Sequence, residues 1–370
     1  MIITDIRTAE VAIPLVTPFR TALRTVEEVR DVLVCVETDQ GLQGFGEAPP
    51  TGVITGETLE SITAAVQGWI RPALLGRDVM ELEGIMKALH SCMVKNTSAK
   101  AAVDMAVYDL RAKALGVPLW KLLGGYRSQV ETDLTVSVNA AGEMVRDSLS
   151  AVEQGFRILK IKVGRDSAGD LERLSAIRKA VGPEIRLRVD ANQGWEPKEA
   201  VRIIRALEDG GVEPELVEQP VKAQDLAGMK LVRDSVLTPI LADESVFSAG
   251  DAIRLIQLGA ADLINIKLMK TGGIYGALQI CAIAESCGVE CMIGCMLESK
   301  LAVSAAAHLA GAKGVITRAD LDGPSLCRED PYEGGPVFQG GQISLGDAPG
   351  LGFGPELLRT GAIFGKGNAQ

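Results

Sequence analysis

Histidine is nearly absent from this chain of 370 residues, which contains only His90 and His308. Zinc hydrolase barrels that bind the metal through several imidazoles are excluded, because they need more histidine ligands than the chain contains. A Ser-His-Asp triad would have to use one of these two residues. His308 lies in an alanine-rich run at residues 304–310, which indicates a packed helix. We expect both histidines to be structural, as lone histidines usually are.

Basic runs, long apolar stretches and paired cysteines are also missing. With 38 Lys and Arg against 48 Asp and Glu, the formal net charge is −10, so nucleic acid and anionic membranes are not expected partners. No apolar stretch approaches the roughly 20 residues of a membrane span. The N-terminal residues lack the pattern of a secretory signal, and the seven cysteines form no CxxC pair. We therefore expect free thiols and a cytoplasmic protein.

What the chain does contain is a series of charged residues, each following a short apolar run. They come at steps of 28, 28, 25 and 24 residues, in the order Lys162, Asp190, Glu218, Asp243 and Lys267. The pattern returns at Asp320 and Asp322. Such a step equals one strand plus one helix, and a parallel α/β barrel gathers the C-terminal ends of its strands around one mouth. The sequence therefore predicts an α/β barrel whose charged residues meet in one cavity.

The rest of the chain does not follow this rhythm. A strand predicted at residues 32–39 and a helix at 98–115 indicate an α+β domain before the barrel. After residue 323 the chain is rich in glycine and proline, and we expect this segment to fold back over the first domain.

Three of the periodic residues are carboxylates at the ends of consecutive predicted strands. Asp190, Glu218 and Asp243 should therefore converge, and three ionised carboxylates need a compensating cation in a buried pocket. Ligation by oxygen alone favours Mg²⁺ over zinc. The alternative is that each acid caps the helix after its strand, which is less favoured for three in succession.

The lysines of the series suggest proton transfer. Lys160 and Lys162 lie two apart on a strand and share a face, so their like charges are expected to lower each other's pKa. Lys267 should approach from the opposite wall. A carboxylate held by a cation has an acidified α-proton, so two opposed bases suggest racemisation or epimerisation. Alternatively each lysine only pairs with a carboxylate, which we expect to be largely so for Lys160.

These residues resemble the motifs of the enolase superfamily, specifically its muconate-lactonizing subgroup, in which a lysine or histidine base works with Mg²⁺. The matching segments are Lys160-Ile-Lys162, Asp190-Ala-Asn192, Glu218-Gln-Pro, Ala-Asp243-Glu-Ser and Asn265-Ile-Lys267. The resemblance implies an α/β fold, a modified TIM barrel of the (β/α)7β type with an α+β N-terminal capping domain. The implied bounds are residues 1–128 for the capping domain, joined by 325–370, and 129–324 for the barrel.

Within the subgroup the chain resembles the dipeptide epimerases, above all those that act on L-Ala-D/L-Glu. Asp320-Leu-Asp322 is similar to the family motif that binds the dipeptide's α-ammonium, and Arg24 matches the arginine that meets the glutamate side chain. The segment 294–299, which contains Cys295, Met296 and Glu298, is similar to the family's seventh-strand signature. Each has a simpler alternative: a turn for the aspartates, a helix cap for Glu298, and a solvated surface position for Arg24.

The resemblance implies a role for every candidate residue. Lys162 and Lys267 would exchange the α-proton of the C-terminal residue, with Lys160 tuning Lys162. The metal ligands would be Asp190, Glu218 and Asp243, and the substrate-binding residues Arg24, Asn192, Cys295, Met296, Glu298, Asp320 and Asp322. It further implies a homo-oligomer that recycles murein peptides.

Two kinds of alternative function stay open. The first is another enzyme of the subgroup, such as an N-succinyl amino acid racemase, an o-succinylbenzoate synthase or a cycloisomerase, whose substrates carry no free ammonium. The second is a barrel without catalysis that binds a small molecule.

Overall fold

The computed structural model describes residues 1–21, 24–359 and 364, with the backbone alone for residue 168. Ala22 and Leu23, in the loop that carries Arg24, lie outside the described residues. So do residues 360–363 and 365–370 of the segment predicted to fold back.

The N-terminal part is an antiparallel sheet covered by helices. Its strands, in the order in which they pair, are β1 (Ile3–Arg20), β2 (Thr25–Thr38) and β3 (Gln43–Ala48). Its helices are α1 (Leu59–Ala65), α2 (Arg71–Leu74), α3 (Leu82–Ser91), α4 (Thr97–Ala114) and α5 (Leu119–Leu123), with a π-helical turn at Val66–Ile70. The backbone of α4 lies directly on β3. A side chain at Gly44 or Gly46 would collide with the backbone of α4, so glycine is required at both positions.

The second part is a sheet of eight parallel strands with helices between them, after a short strand β4 (Gln129–Glu131). The strands are β5 (Leu134–Val136), β6 (Ile158–Lys162), β7 (Arg186–Asp190), β8 (Leu216–Glu218), β9 (Ile240–Ala242), β10 (Leu263–Lys267), β11 (Glu290–Gly294) and β12 (Ile316–Asp320). The helices are α6 (Ala141–Glu153), α7 (Ser167–Val181), α8 (Pro197–Asp209), α9 (Leu226–Ser235), α10 (Ala249–Leu258), α11 (Leu268–Thr271), α12 (Ile274–Ser286), α13 (Lys300–Ala312) and α14 (Gly323–Leu326).

The strands follow chain order from β5 to β12, and the two edges meet where Leu321 N donates to Thr132 Oγ1 at 2.7 Å. Each predicted strand ends at or beside its charged residue. Since parallel strands in register end at one level, Lys162 lies beside Asp190, and Asp190 beside Glu218. The predicted fold class, an α/β barrel with an α+β N-terminal domain, is confirmed.

Buried polar contacts hold the N-terminal part against the barrel. Asp104 of α4 accepts hydrogen bonds from Ile274 N at 2.6 Å and Tyr275 N at 3.2 Å, so it caps α12 from outside that helix. Glu47 of β3 accepts from Ser299 N at 3.1 Å and Ala302 N at 2.9 Å, at the start of α13. These contacts hold the N-terminal part, which contains Arg24, against the barrel.

The C-terminal segment adds four short strands, β13 (Tyr332–Gly334), β14 (Val337–Gln339), β15 (Gln342–Ser344) and β16 (Phe353–Leu358). β15 pairs with β4, and Arg328 N donates to Pro14 O at 2.8 Å, so this segment returns to the N-terminal part. The domain bounds given above stay a prediction.

His308 and the cysteines have structural surroundings that agree with the expectations from the sequence. His308 is buried and its Nδ1 accepts from Trp120 N at 3.0 Å; burial lowers its pKa to about 3, as suits a neutral structural residue. All seven cysteines are free. Within the described part of the chain, no helix combines the length and apolar character needed to cross a membrane.

Candidate active site at the mouth of the barrel

A cavity lies where the strand ends of the barrel meet the loops of the N-terminal part. The predicted site residues that line it are Arg24, Lys160, Lys162, Asn192, Lys267, Cys295, Met296, Asp320 and Asp322. The structure thus brings nine predicted residues, from distant parts of the sequence, around one space. The predicted metal ligands lie behind this lining, in contact with its lysines.

Two of the lysines face each other across the cavity. Lys162 ends β6 and Lys267 ends β10, and four steps separate these strands in the eight-stranded sheet. Lys162 Nζ lies 2.6 Å from Asp190 Oδ2, and Lys267 Nζ lies 2.7 Å from Asp243 Oδ2. Both lysines are buried, with 6% of the surface of each residue exposed. A small molecule between them would meet an ammonium or amine group on each face.

Lys160 lies deeper and belongs to a network of carboxylates. Its Nζ lies 2.7 Å from Glu218 Oε2, 2.7 Å from Asp320 Oδ2 and 3.0 Å from Asp190 Oδ2. The expected pairing of Lys160 with carboxylates is therefore confirmed. The expected lowering of the lysine pKa by like charge is wrong for Lys160. Burial favours a lower pKa, but the surrounding carboxylates outweigh it and raise the pKa well above its usual value.

The same balance applies to Lys267. Burial lowers its pKa and Lys160 adds a repulsion, but Asp243, Glu218 and Glu244 together outweigh both and raise the pKa. For the pKa of Lys267, the repulsion from Lys160 is therefore a weaker influence than the attraction to Asp243. Because each ammonium has an acidic partner within 3 Å, ion pairing decides the charge state of this part of the site.

The three predicted metal ligands are almost wholly buried. Burial and nearby Asp190 raise the pKa of Glu218 to about 7. Burial opposes ionisation of Asp190, but Lys160 and Lys162 lower its pKa. Asn265 Nδ2 donates to Glu218 Oε1 at 2.8 Å and orients that carboxylate. The ends of β7, β8 and β9 thus supply one acid each, and their joint ligation of a metal ion stays a prediction.

The chemistry of this donor set suits a hard divalent cation. The oxygens Glu218 Oε2 and Asp243 Oδ1 are buried and accept no hydrogen bond, although each is in ion-pair contact with a lysine. Buried anionic oxygens of this kind are the ligands that Mg²⁺ prefers. The residues present therefore fit the predicted ion.

A second acidic cluster was not predicted. Within the described residues, the carboxylate oxygens of Asp133, Asp320 and Asp322 lie within 4.8 Å of one another. Asp320 accepts from Lys160 Nζ, and Asp322 Oδ2 accepts from Thr135 N at 2.6 Å. Burial and nearby Asp320 raise the pKa of Asp322 to about 6. Asp320 and Asp322 face the cavity, so this cluster offers negative charge to a cationic group of a ligand.

Arg24 lines the outer part of the cavity, where its guanidinium is half-buried. Its backbone N donates to Thr21 Oγ1 at 3.2 Å, which fixes the turn after β1. Burial lowers the pKa of Arg24, with Asp31 opposing the shift. An arginine that is partly desolvated at a cavity wall is suited to bind a carboxylate of the ligand.

Glu298 does not line the cavity. Its Oε1 accepts from Met296 N at 2.7 Å, so it fixes the loop after β11 whose Met296 does line the cavity. Burial raises the pKa of Glu298 to about 8. Glu298 therefore lies behind the cavity wall, the residue at the start of α13 is Ser299, and direct contact of Glu298 with a ligand stays a prediction.

The structure adds residues that the sequence reasoning missed. The further lining residues are Phe19, Thr21, Thr51, Val53, Ile54, Thr135, Glu244, Leu297 and Leu326. Glu244 is paired with Asn192, whose Nδ2 donates to Glu244 Oε1 at 3.3 Å. Glu244 directly follows the predicted ligand Asp243, so its position was a usable signal. Thr135 gave none, because the first barrel strand carries no charged residue at its end.

Comparison with known proteins agrees with this geometry. Residues 3–124 match the family "Mandelate racemase / muconate lactonizing enzyme, N-terminal domain", and residues 143–357 match the "Enolase C-terminal domain-like" family. The chain belongs to the enolase superfamily. The predicted membership of the enolase superfamily is thereby confirmed.

Relatives of this enolase-superfamily chain include several epimerases. The L-Ala-D/L-Glu epimerase of Clostridium acetobutylicum is 54% identical over 95% of this chain and 99% of the relative. The substrate-liganded L-Ala-D/L-Glu epimerase of Bacillus subtilis superposes with a TM-score of 0.94 at 52% identity, covering 95% of this chain and 99% of that one. The dipeptide epimerase of Enterococcus faecalis, complexed with Mg and L-Leu-L-Tyr, gives 0.92 at 44% identity, with 95% and 99% covered. This enolase-superfamily chain is an isomerase of the epimerase and racemase class.

Proposed function

We propose that this protein is a Mg²⁺-dependent dipeptide epimerase that inverts the α-carbon of the C-terminal residue, with L-Ala-L-Glu and L-Ala-D-Glu as substrates. The observation that carries the proposal is the placement of Lys162 and Lys267 on opposite sides of one cavity, beside a cationic-group site at Asp320 and Asp322. Relatives at 52% to 54% identity with this activity support it.

The two lysines would divide the proton transfer between the two faces of the α-carbon. One lysine, as the neutral amine, removes the α-proton from its face, and the other, as the ammonium, gives a proton to the opposite face, which inverts the configuration. Each lysine works in both directions, so the pair serves both stereoisomers. Lys160, held between Asp190, Glu218 and Asp320, positions its neighbours and takes no proton from the substrate in this scheme.

We assign the Mg²⁺ ion to Asp190, Glu218 and Asp243. When bound there, it supplies positive charge against the negative charge that develops on the substrate carboxylate. Relatives whose structures contain Mg and a dipeptide support the assignment. Neighbouring lysines lower the pKa of Asp190 and Asp243 although burial opposes this, and Asn265 orients Glu218.

The substrate's two ends would be recognised by charge. Asp320 and Asp322 bind the α-ammonium of the first residue, because a cation entering a nearly closed site needs anionic partners. Arg24 binds the side-chain carboxylate of the C-terminal glutamate. An N-succinyl amino acid brings a carboxylate where the ammonium would lie, and like charge against Asp320 and Asp322 disfavours it.

We further propose that the protein acts in the cytoplasm on peptides released from murein, as a homo-oligomer. Seven unpaired cysteines suit a reducing compartment. Substrates of the alanyl-glutamate type are fragments of the murein peptide.

A panel of substrates tests this function. The protein with Mg²⁺ is incubated in D₂O with L-Ala-L-Glu, other dipeptides and N-succinyl amino acids, and deuterium at the α-carbon is followed by mass spectrometry. We expect exchange with dipeptides, fastest with L-Ala-L-Glu. Exchange with N-succinyl amino acids alone would instead favour the racemase alternative, for which the N-succinyl-L-Arg/Lys racemase of Bacillus cereus, 35% identical, is a relative.

The Arg24→Ala variant tests the assignment of specificity. We expect kcat/KM for L-Ala-L-Glu to fall about 10- to 150-fold, the loss of a charge-assisted contact of about 1.5–3 kcal/mol. Turnover of L-Ala-L-Leu, which has no side-chain carboxylate, should change less than about threefold. Steady-state kinetics with both dipeptides gives the comparison.

Arg20→Ala is the matched control, because Arg20 ends β1 in the same region but bonds Asn139 and does not line the cavity. It should leave the ratio between the two dipeptides unchanged. Equal losses with L-Ala-L-Glu and L-Ala-L-Leu in Arg24→Ala would show that Arg24 does not read the glutamate side chain.

A further inference from the structure

A third carboxylate lies beneath the ammonium-binding pair. Asp133 immediately precedes β5, is wholly buried and does not line the cavity. Its carboxylate lies within 4.8 Å of those of Asp320 and Asp322, so three acids share one small volume. The mechanism proposed above uses only the two that face the cavity.

Asp133 has only one of its two oxygens engaged. Its Oδ2 accepts from Arg188 Nη1 at 2.7 Å, while Oδ1, also buried, accepts no hydrogen bond from the described residues. Arg188 is itself shared, because it also bonds Glu215 Oε2 at 2.7 Å and Ala319 O at 2.7 Å. A fully desolvated anionic oxygen with no donor is costly unless a positive charge is close by.

Positive charge reaches the cluster mainly at Asp320, whose pKa is lowered by Lys160, Lys267 and Lys162 although burial opposes this. The cation in contact with Asp320 is Lys160, which is shared with Asp190 and Glu218. Asp322 contacts a backbone amide, and Arg188 divides its charge between Asp133 and Glu215. Burial and nearby Asp320 raise the pKa of both Asp133 and Asp322, which agrees with crowded like charge. A ligand that brings one cation would relieve this repulsion.

We infer that Asp133 is a positioning residue of the ammonium site, which increases the selectivity of Asp320 and Asp322 for a ligand with a free primary ammonium group. It acts through its charge from behind the pair, because at this distance in a buried site Coulomb attraction and repulsion are strong. The inference rests on the proposed function and names an additional determinant of its substrate class.

The Asp133→Asn variant tests this role with two ligands that differ only in the ammonium group. The first is L-Ala-L-Glu, and the second is N-propionyl-L-glutamate, the same skeleton without the amine. We expect kcat/KM for α-proton exchange of the dipeptide to fall at least about tenfold, mostly through KM, since a buried charge partner is lost. For N-propionyl-L-glutamate the change should stay within about twofold, so the preference of the wild type for the dipeptide shrinks.

Asp109→Asn is the matched control, because Asp109 is a buried acid of α4 that bonds Phe45 N and Leu351 N away from the cavity. Loss of that carboxylate should change kcat/KM for the two ligands by the same factor. Should Asp133→Asn not fold, Asp133→Ser removes the same negative charge and leaves a smaller polar group beside Arg188. The ligand-dependent loss should persist there, because serine carries no charge that attracts the ammonium group.

Equal losses with both ligands, or no loss with the dipeptide, would overturn the role of Asp133 and leave the proposed function intact. A wild-type protein that exchanges no α-proton of any dipeptide would refute the proposed function, and this role with it.

Discussion

Lys267→Ala is expected to abolish epimerisation of L-Ala-L-Glu while preserving deuterium exchange from one of the two stereoisomers. Without Lys267 the proton on its face can be neither removed nor returned, so inversion should slow at least about 10³-fold. Lys162, on the other side of the cavity, still removes the proton that faces it. The measurement is ¹H NMR of the α-proton in D₂O, started separately from L-Ala-L-Glu and L-Ala-D-Glu.

Lys162→Ala should give the mirror result, with exchange kept for the other stereoisomer. This reciprocal pattern is hard to produce by general damage to the fold, which would reduce exchange from both. Lys198→Ala, at an exposed position of α8, is a control that should behave as wild type. Exchange that persists from both stereoisomers in both variants, or disappears from both, would contradict a two-base site.

Removal of divalent cations is expected to abolish turnover, and added Mg²⁺ should restore it. Without the cation the charge that develops on the substrate carboxylate lacks its counter-charge, so a loss of at least about 10³-fold is expected. Chelation followed by titration with Mg²⁺, monitored by the exchange assay, measures the effect.

The binding residues can be tested apart from activity. Mg²⁺ should raise the thermal midpoint of the wild type, because a ligand that binds only the folded state stabilises it, and this rise should vanish in Asp190→Asn and Glu218→Gln. Asp251→Asn, in an acid of the first turn of α10, should keep the Mg²⁺-dependent rise. Wild-type affinity for Mg²⁺ in the two ligand variants, or full turnover after chelation, would show that the ion lies elsewhere or is not used.

The charge series predicted more of the structure than the propensity of any single segment. Because parallel strands end at one level, the steps from Lys162 to Lys267 were enough to bring these side chains to one mouth. Arg24 could not be located in this way. Its placement depends on how the N-terminal part docks, through Asp104 and Glu47, and those contacts have no sequence period.

Two features of the site could not be predicted from the sequence pattern, because they depend on contacts between distant strands. The charge state of the lysines depends on all neighbours within a few ångströms, and the pattern did not show that Lys160 touches Glu218 and Asp320 from other strands. Asp133 precedes a three-residue strand and comes under Asp320 and Asp322 only because β12 closes the barrel against β5. Such closure brings together the first and last strands of the sheet, which are far apart in the sequence, so no local sequence pattern indicates it.

The most direct test of the proposed two-base epimerisation follows L-Ala-L-Glu with wild-type protein and Mg²⁺ in D₂O. We expect formation of L-Ala-D-Glu, with deuterium at the α-carbon of glutamate and none at that of alanine. Retention of the α-proton of glutamate, with Mg²⁺ present and the dipeptide bound, would contradict it.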